Sequence, residues 1–288
     1  MIKFKKTFLC FSVVALIVLT AVQQCFAATY LTSDGFYYLP DDKYNATVYG
    51  CNDNKTELVF PDRLDNYNVR SIADYSFINN GNITSIDFTN AKYLRSVGYL
   101  SFSGCSNVKS IVLPYWINSF DFGSFQNCTA LTQIGLYARV NKITEQCFYG
   151  WSSLTGIDLP DSVKSIERFA FGSCKSLSEV YIPTSVTSIA SNAFRNSPNV
   201  TIKGSYGSYA EEYAKANNIP FEGISAYDVG DVNMDGGINI LDATLVQKYV
   251  VGIVELSAEQ KHLADYNNDG DITVVDATEI QKFIVHLN

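Results

Sequence analysis

Histidine is almost missing from this chain. Only His262 and His286 occur among 288 residues, so nothing before position 262 can supply a Ser-His or Cys-His nucleophile pair or a histidine metal site. Positive charge is also sparse. Twenty-one Lys and Arg stand against 29 Asp and Glu, a net charge of −8, and no basic cluster is present that would hold nucleic acid. Long apolar runs are limited to Phe8–Val22. Lys3, Lys5 and Lys6 precede that run and Cys25-Phe26-Ala27 close it, a pattern that reads as a secretory signal over 1–27 cut after Ala27. Val22-Gln23-Gln24 before Cys25 is a poor match to a lipobox, and once the leader is removed no membrane segment is expected. Beyond the leader the cysteines are Cys51, Cys105, Cys128, Cys147 and Cys174. Five is an odd number, which excludes a complete intrachain disulfide framework.

What is present is a repeat. Phe77, Phe102, Phe125, Phe148, Phe171 and Phe194 follow one another at 25, 23, 23, 23 and 23 residues. Five residues before each stand Ile72, Val97, Phe120, Ile143, Ile166 and Ile189; six after stand Ile83, Val108, Leu131, Leu154, Leu177 and Val200. Self-similarity at this period predicts a solenoid, in which each unit buries its apolar face only against its neighbours. The lattice breaks at Lys203, where the frame expects an apolar residue. Before the repeats, Gly35–Leu39 and Ala46–Gly50 alternate as a strand pair; after them, 207–215 reads as a helix and 219–221 as a final strand.

The pattern S-I-x-x-x-A-F-x-x-C-x-x-L-x-x-I-x-L-P, clearest over Ser165–Pro183, resembles the type-5, BspA-like leucine-rich repeats. That resemblance covers roughly 56–224 and implies short parallel strands stacked into a sheet, an α/β solenoid of leucine-rich repeats. Three residues after the phenylalanines come Asn80, Cys105, Cys128, Trp151, Cys174 and Ser197, a column expected to be mostly small polar groups with no redox or metal role. Outward strand positions are polar and small, Asp87 and Asp158 among them; two carboxyls in separate repeats give no cue for a glycosidase pair. Tyr115, Trp116, Tyr137, Tyr149 and Trp151 form either a sugar-stacking platform or ordinary packing. No catalytic residues are identified, and the ligand of the solenoid is unknown.

The tail carries the other pattern. Asp231–Asp242 runs D-V-N-M-D-G-G-I-N-I-L-D and Asp265–Asp276 runs D-Y-N-N-D-G-D-I-T-V-V-D. Oxygen-bearing side chains at the first, third and fifth places, glycine at the sixth, an apolar residue at the eighth and a closing carboxylate suit a loop wrapped around one hard cation. Asp231, Asn233, Asp235, Gly237 and Asp242 are candidate ligands of one ion, and Asp265, Asn267, Asp269, Asp271 and Asp276 of a second, Gly237 and Asp271 through their carbonyls. The two cofactors are therefore expected to be Ca2+. From Ala226 onward eleven acids face three bases, and two such ions would offset half of that charge. No amphipathic helix is expected before either loop; exiting helices are expected over 242–251 and 276–286, with Leu245, Tyr249 and Ile253 on the inner face.

This duplicated half-motif, each copy followed by D-A-T-x-x-Q-K, closely resembles a type I dockerin over roughly 226–288. The resemblance implies a small all-α module with two EF-hand-like loops that plugs into a cohesin module of a scaffoldin. It also implies the contact residues: Ile240 and Leu241 with Gln247 and Lys248 from one copy, Val274 and Val275 with Gln281 and Lys282 from the other. The expected layout is leader 1–27, capping strands 28–60, solenoid with its cap 61–224 and dockerin 225–288. The expected function is that of a secreted, non-catalytic cellulosomal component, held at the cell surface through the scaffoldin, whose repeats present a protein- or glycan-recognition surface. Two alternatives stay open: an accessory or enzyme of plant cell wall polysaccharide degradation, and a free adhesin with a structural calcium domain.

Overall fold

The computed structural model describes residues 30–32, 35–52 and 54–285. The leader expected at 1–27 and the end of the second exiting helix at His286 lie outside the described residues. The chain divides into two compact units, one running to Ser178 with Ser188–Val200 added, the other made of Glu179–Thr187 and the chain from Thr201 onward. Among the described residues no helix is long and apolar enough to cross a membrane.

The first unit opens on a hairpin. Phe36–Pro40 pairs antiparallel with Asn45–Cys51, and Tyr30–Leu31 extends its outer edge. Alternation sets the faces: Phe36, Tyr38, Ala46 and Val48 are buried while their neighbours are not. Asn45–Cys51 then pairs in parallel with Tyr67–Ile72, which is followed across the sheet by Ser96–Val97 and Ser119–Phe120. A second parallel ladder runs Glu57–Val59, Ser85–Asp87, Ser110–Leu113, Gln133–Leu136. A third runs Lys142–Ile143, Ser165–Ile166, Ser188–Ile189. Ser85 faces Ser110 and Ser110 faces Gln133, so the strand register repeats the 25- and 23-residue spacing of the phenylalanines.

Those phenylalanines form a ladder through the core. Phe77 and Phe102 stack at 4.8 Å, Phe102 and Phe125 at 5.5 Å, and Phe171 and Phe194 at 5.3 Å, each pair within 7° of parallel. Aromatic pairs of this kind add about 0.5–1.5 kcal/mol beyond the burial of their area. The chain turns around the first five rings through two left-handed residues each, and around Phe194 through one. Two before the rings these are Tyr75, Leu100, Gly123, Gln146 and Phe169; two after, Asn79, Gly104, Asn127, Gly150, Ser173 and Asn196. At the second place Asn and Gly interlock. A Cβ on Gly104 would lie 2.1 Å from Asn79 Oδ1, and one on Gly150 would lie 2.3 Å from Asn127 Oδ1.

The column three residues after each ring has a definite task. Cys105 Sγ donates to Phe77 O at 3.1 Å, Cys128 Sγ to Phe102 O at 3.5 Å and Cys174 Sγ to Phe148 O at 3.3 Å. Trp151 Nε1 donates to Phe125 O at 2.7 Å, and Ser197 Oγ to Phe171 O at 2.7 Å. Each repeat thus bonds the carbonyl at the ring of the repeat before it, with Phe77 O and Phe102 O also accepting from Asn80 N and Cys105 N at 3.2 Å. Trp151 is fully buried and packs on Phe148 at 4.3 Å, so the sugar-stacking alternative fails for that residue. Tyr115 and Tyr137 are exposed. Cys105, Cys128, Cys147 and Cys174 are free thiols. Burial pushes the thiols of Cys105 and Cys174 up to about 12 and those of Cys128 and Cys147 well above the ordinary thiol range.

In the second unit Glu179–Tyr181 pairs in parallel with Thr201–Ser205, and that strand with Phe221–Ile224. Here the structure departs from the sequence lattice. Val180 faces Ile202, a spacing of 22, so the last turn is one residue shorter than its predecessors. Ile202 is the buried residue, and Lys203 turns outward to Glu179 at 3.2 Å and Glu222 at 3.3 Å. The expected break is a contraction. Helix α1, Tyr209–Ala216, follows, capped by Ser208 and burying Ala210, Tyr213 and Ala214.

The tail holds three helices, α2 (Ile240–Val250), α3 (Ala258–Ala264) and α4 (Val274–Ile284). The expectation that no helix precedes either loop is wrong for the second. Helix α3 enters it directly, started by a capping box in which Ser257 Oγ accepts from Gln260 N and Gln260 Oε1 accepts from Ser257 N. Val232, Ala243, Val246, Leu256, Ala264, Ala277 and Ile280 make the core of the tail, and Ile238 and Ile272, the eighth residues of the two loops, pack on it. Leu245 and Tyr249 do so too, whereas Ile253 lies past the end of α2 and is exposed.

Candidate metal loops and docking surface

The two loops share most of their hydrogen bonds. Asp231 accepts from Asp235 N at 3.1 Å and Gly236 N at 2.9 Å; Asp265 accepts from Asp269 N at 3.1 Å and Gly270 N at 3.0 Å. Asn233 Oδ1 accepts from Asp235 N and Asn267 Oδ1 from Asp269 N, both at 2.9 Å. Asp235 Oδ1 accepts from Gly237 N, and Asp269 Oδ1 from Asp271 N. The turn that makes this possible uses left-handed residues at the fourth and sixth places: Met234 and Gly236 in one loop, Asn268 and Gly270 in the other. The sixth lies at φ 92° in both, where a side chain would be strained.

The closing carboxylates are fully buried. Asp242 Oδ1 accepts from Asn233 N at 2.9 Å and Oδ2 from Asn239 N at 2.8 Å, and Asp276 makes the same two kinds of bond to Asn267 N and Thr273 N. Each closes a capping box at the start of its exiting helix, with Asn239 and Thr273 as the N-cap residues. Both helices therefore begin two residues earlier than expected, at Ile240 and Val274, so the four apolar docking candidates form their first turns.

Among the described residues no three His, Cys, Asp or Glu side chains converge on a common point to hold a metal ion. The donors brought together here are partly Asn side chains and carbonyls, and the acidic oxygens turn to the loop's own amides. The donor set still suits a hard cation. Asp231, Asp242 and Asp276 are buried carboxylates, and the ion pairs Lys142–Glu167, Lys203–Glu179, Lys203–Glu222, Lys215–Glu211 and Lys282–Glu279 involve no loop carboxylate. Buried anions of this kind ordinarily face a cation or a metal. Gly237 O is engaged by Asn239 Nδ2 at 3.0 Å; Asp271 is exposed.

Comparison with known proteins agrees with both halves. The family described as BspA type leucine rich repeat region matches residues 49–201 in six copies, more than half of the chain. The chain belongs to the BspA-type leucine-rich repeat family. Residues 229–285 match the family described as dockerin type I domain, so the tail is a type I dockerin. Among solved structures, the leucine-rich repeat protein of T. pallidum is similar at 22% identity and TM-score 0.56, covering 67% of this chain and 98% of its own. A leucine-rich cell surface protein of Faecalibacterium prausnitzii aligns at 16% identity and TM-score 0.36, covering 65% and 97%. No curated protein matches the chain. The repeat family and the T. pallidum structure fix the fold of the repeats as a leucine-rich repeat solenoid, and the two family matches imply protein interaction by the repeats and cohesin binding by the dockerin.

On the dockerin, the first turns of α2 and α4 carry exposed apolar groups, as do Val251, Ile253, Phe283 and Val285 at or just past the far ends of the two helices. Ile240 is 55% exposed, Leu241 61%, Val274 58% and Val275 50%. Gln247 and Lys248 lie exposed in the second half of α2; in α4 Gln281 is half-buried and Lys282, exposed, pairs with Glu279 at 2.7 Å. Ile240 also lines a shallow groove with Thr278, Gln281, Lys282, Ile284 and Val285 of the other copy's helix region. The two copies thus meet on one surface, a juxtaposition that spacing along the sequence does not reveal.

Proposed function

We propose that this protein is a secreted, non-catalytic component of a cellulosome-type assembly. Its dockerin binds a cohesin module of a scaffoldin in a calcium-dependent way, while the repeats present a surface that recognises a protein or a glycan. The observation that carries this reading is the repeated pair of exposed aliphatic residues, Ile240-Leu241 and Val274-Val275, each on the first turn of a helix and each directly before the closing carboxylate of its loop. Aliphatic anchors beside a polar rim of Gln247, Lys248, Gln281 and Lys282 are what a protein interface uses.

In this reading Asp231, Asn233, Asp235, the Gly237 carbonyl and Asp242 hold one Ca2+, and Asp265, Asn267, Asp269, the Asp271 carbonyl and Asp276 hold the second. Bound calcium supplies the counter-charge for the clustered carboxylates and fixes the loops that set the direction of α2 and α4. The leader 1–27 exports the chain, the strands of 28–60 cap the solenoid, and the dockerin of 225–288 holds it at the cell surface through the scaffoldin. The test uses the full chain on an immobilised cohesin panel. Replacing Ile240 and Leu241 with Ala leaves capture through the second copy, as does replacing Val274 and Val275; replacing all four abolishes it. Capture that survives the fourfold change would overturn the assignment of the docking surface.

A further inference from the structure

The dockerin and the end of the repeats share a built contact within one compact unit. The Tyr206 ring stacks on His262 of α3 with centroids 4.2 Å apart and planes 20° apart. The ring also lies close against Gly223, where an added Cβ would stand 2.1 Å from Tyr206 Cζ. Beside it Ser225 Oγ donates to Glu259 of α3 at 2.8 Å, and a Cβ on Gly207 would meet the Ala258 Cβ at 3.3 Å. Burial, then the carboxylates of Glu211, Glu222 and Glu259, hold the Tyr206 hydroxyl above the ordinary tyrosine range.

What α3 holds in turn is both calcium loops. Its C-cap is Asp265, the first residue of the second loop. The first loop is tied to the same helix, because Gly230 N donates to Leu263 O at 2.9 Å and Gln260 Nε2 to Val232 O at 3.1 Å. Resting on the calcium reading above, we propose that the repeat cap is a positioning surface for the loops: Tyr206 clamps α3, and through it sets how tightly the dockerin holds calcium. The repeat cap and the dockerin then form a coupled pair, in which each stabilises the other's ordered state. Linkage makes the effect reciprocal, so calcium must also tighten the cap.

The test is calcium titration calorimetry on the full chain together with amide hydrogen exchange. Tyr206→Ala and His262→Ala each weaken calcium binding by roughly 2- to 10-fold, the range expected for loss of one aromatic pair, and the double variant is no worse than either alone. Tyr206→Phe keeps the ring and binds as the wild type does. In the wild-type chain calcium slows exchange over residues 204–207 and 221–225, a measurement that needs no variant to fold. Unchanged affinity in Tyr206→Ala, or cap exchange indifferent to calcium in a chain that binds it, would overturn the clamp. A wild-type chain that takes up no calcium would overturn the loop reading and the clamp with it.

Discussion

Asp242→Asn separates the two tasks of a closing carboxylate. In the wild type both oxygens of this buried group accept backbone amides, Asn233 N at 2.9 Å and Asn239 N at 2.8 Å. Asparagine keeps the shape but offers one accepting oxygen, and its NH2 must face one of those amides. Leaving one buried amide without a partner costs about 1–3 kcal/mol. For a unit of some 60 residues each kcal/mol is worth roughly 4–8 °C in Tm, so the dockerin transition should fall by at least about 4 °C in chelator. Calcium then adds a second loss, because one negative ligand is gone: affinity at that loop drops by at least about 10-fold. Asp276→Asn should cost as much or more, since Asp276 accepts from Tyr266 N, Asn267 N, Thr273 N and the Thr273 hydroxyl. Thermal unfolding followed by circular dichroism, with calcium and with chelator, reads both losses. A variant that melts within 1 °C of wild type under both conditions, a margin well inside the 4–8 °C that each kcal/mol is worth, would refute the dual role.

Further outcomes follow from the repeats. Gly104→Ala forces a side chain onto a residue at φ 76° and within 2.1 Å of Asn79 Oδ1, so it should cost about 1–3 kcal/mol by chemical denaturation. Gly81→Ala, which meets nothing within 4 Å, should stay within about 0.5 kcal/mol. Phe125→Ala removes a fully buried rung of the ladder, a loss of about 3–5 kcal/mol that should leave calcium titration of the dockerin unchanged. The buried thiols make the repeats sensitive to alkali. Cys105 and Cys174 hold their protons up to about 12 in the fold against 9.0 for a free thiol, so their contribution is whole below pH 9 and is lost as pH climbs from 9 towards 12. Melting temperatures across that window should fall, and iodoacetamide at pH 8.5 should leave Cys105, Cys128, Cys147 and Cys174 unlabelled in the native chain.

The repeat was legible because its signal is summed over six copies. A column such as Ile72, Val97, Phe120, Ile143, Ile166 and Ile189 survives one aberrant residue, and the strand registers follow its spacing. The contraction at Ile202 was not legible, since a single shortened turn at the end of a lattice looks like a break when the frame is held fixed. For Trp151 the sequence leaves a stacking platform and packing both open, and burial decides for packing, its N–H performing the same donation as the thiols. The loops announced themselves through the spacing of Asp, Asn and Gly. Helix α3 was hidden between them because seven residues give little periodicity, although Ser257 and Gln260 stand at capping-box spacing. The stack of Tyr206 on His262 joins residues 56 apart in sequence, and no local pattern encodes it.

The central claim is that this chain is a docked recognition protein, and capture of the full chain by immobilised cohesins with calcium and then with chelator tests it most directly. The account predicts retention on at least one cohesin in calcium and release when calcium is removed. A chain that binds calcium at both loops yet is retained by no cohesin of its own source would contradict it.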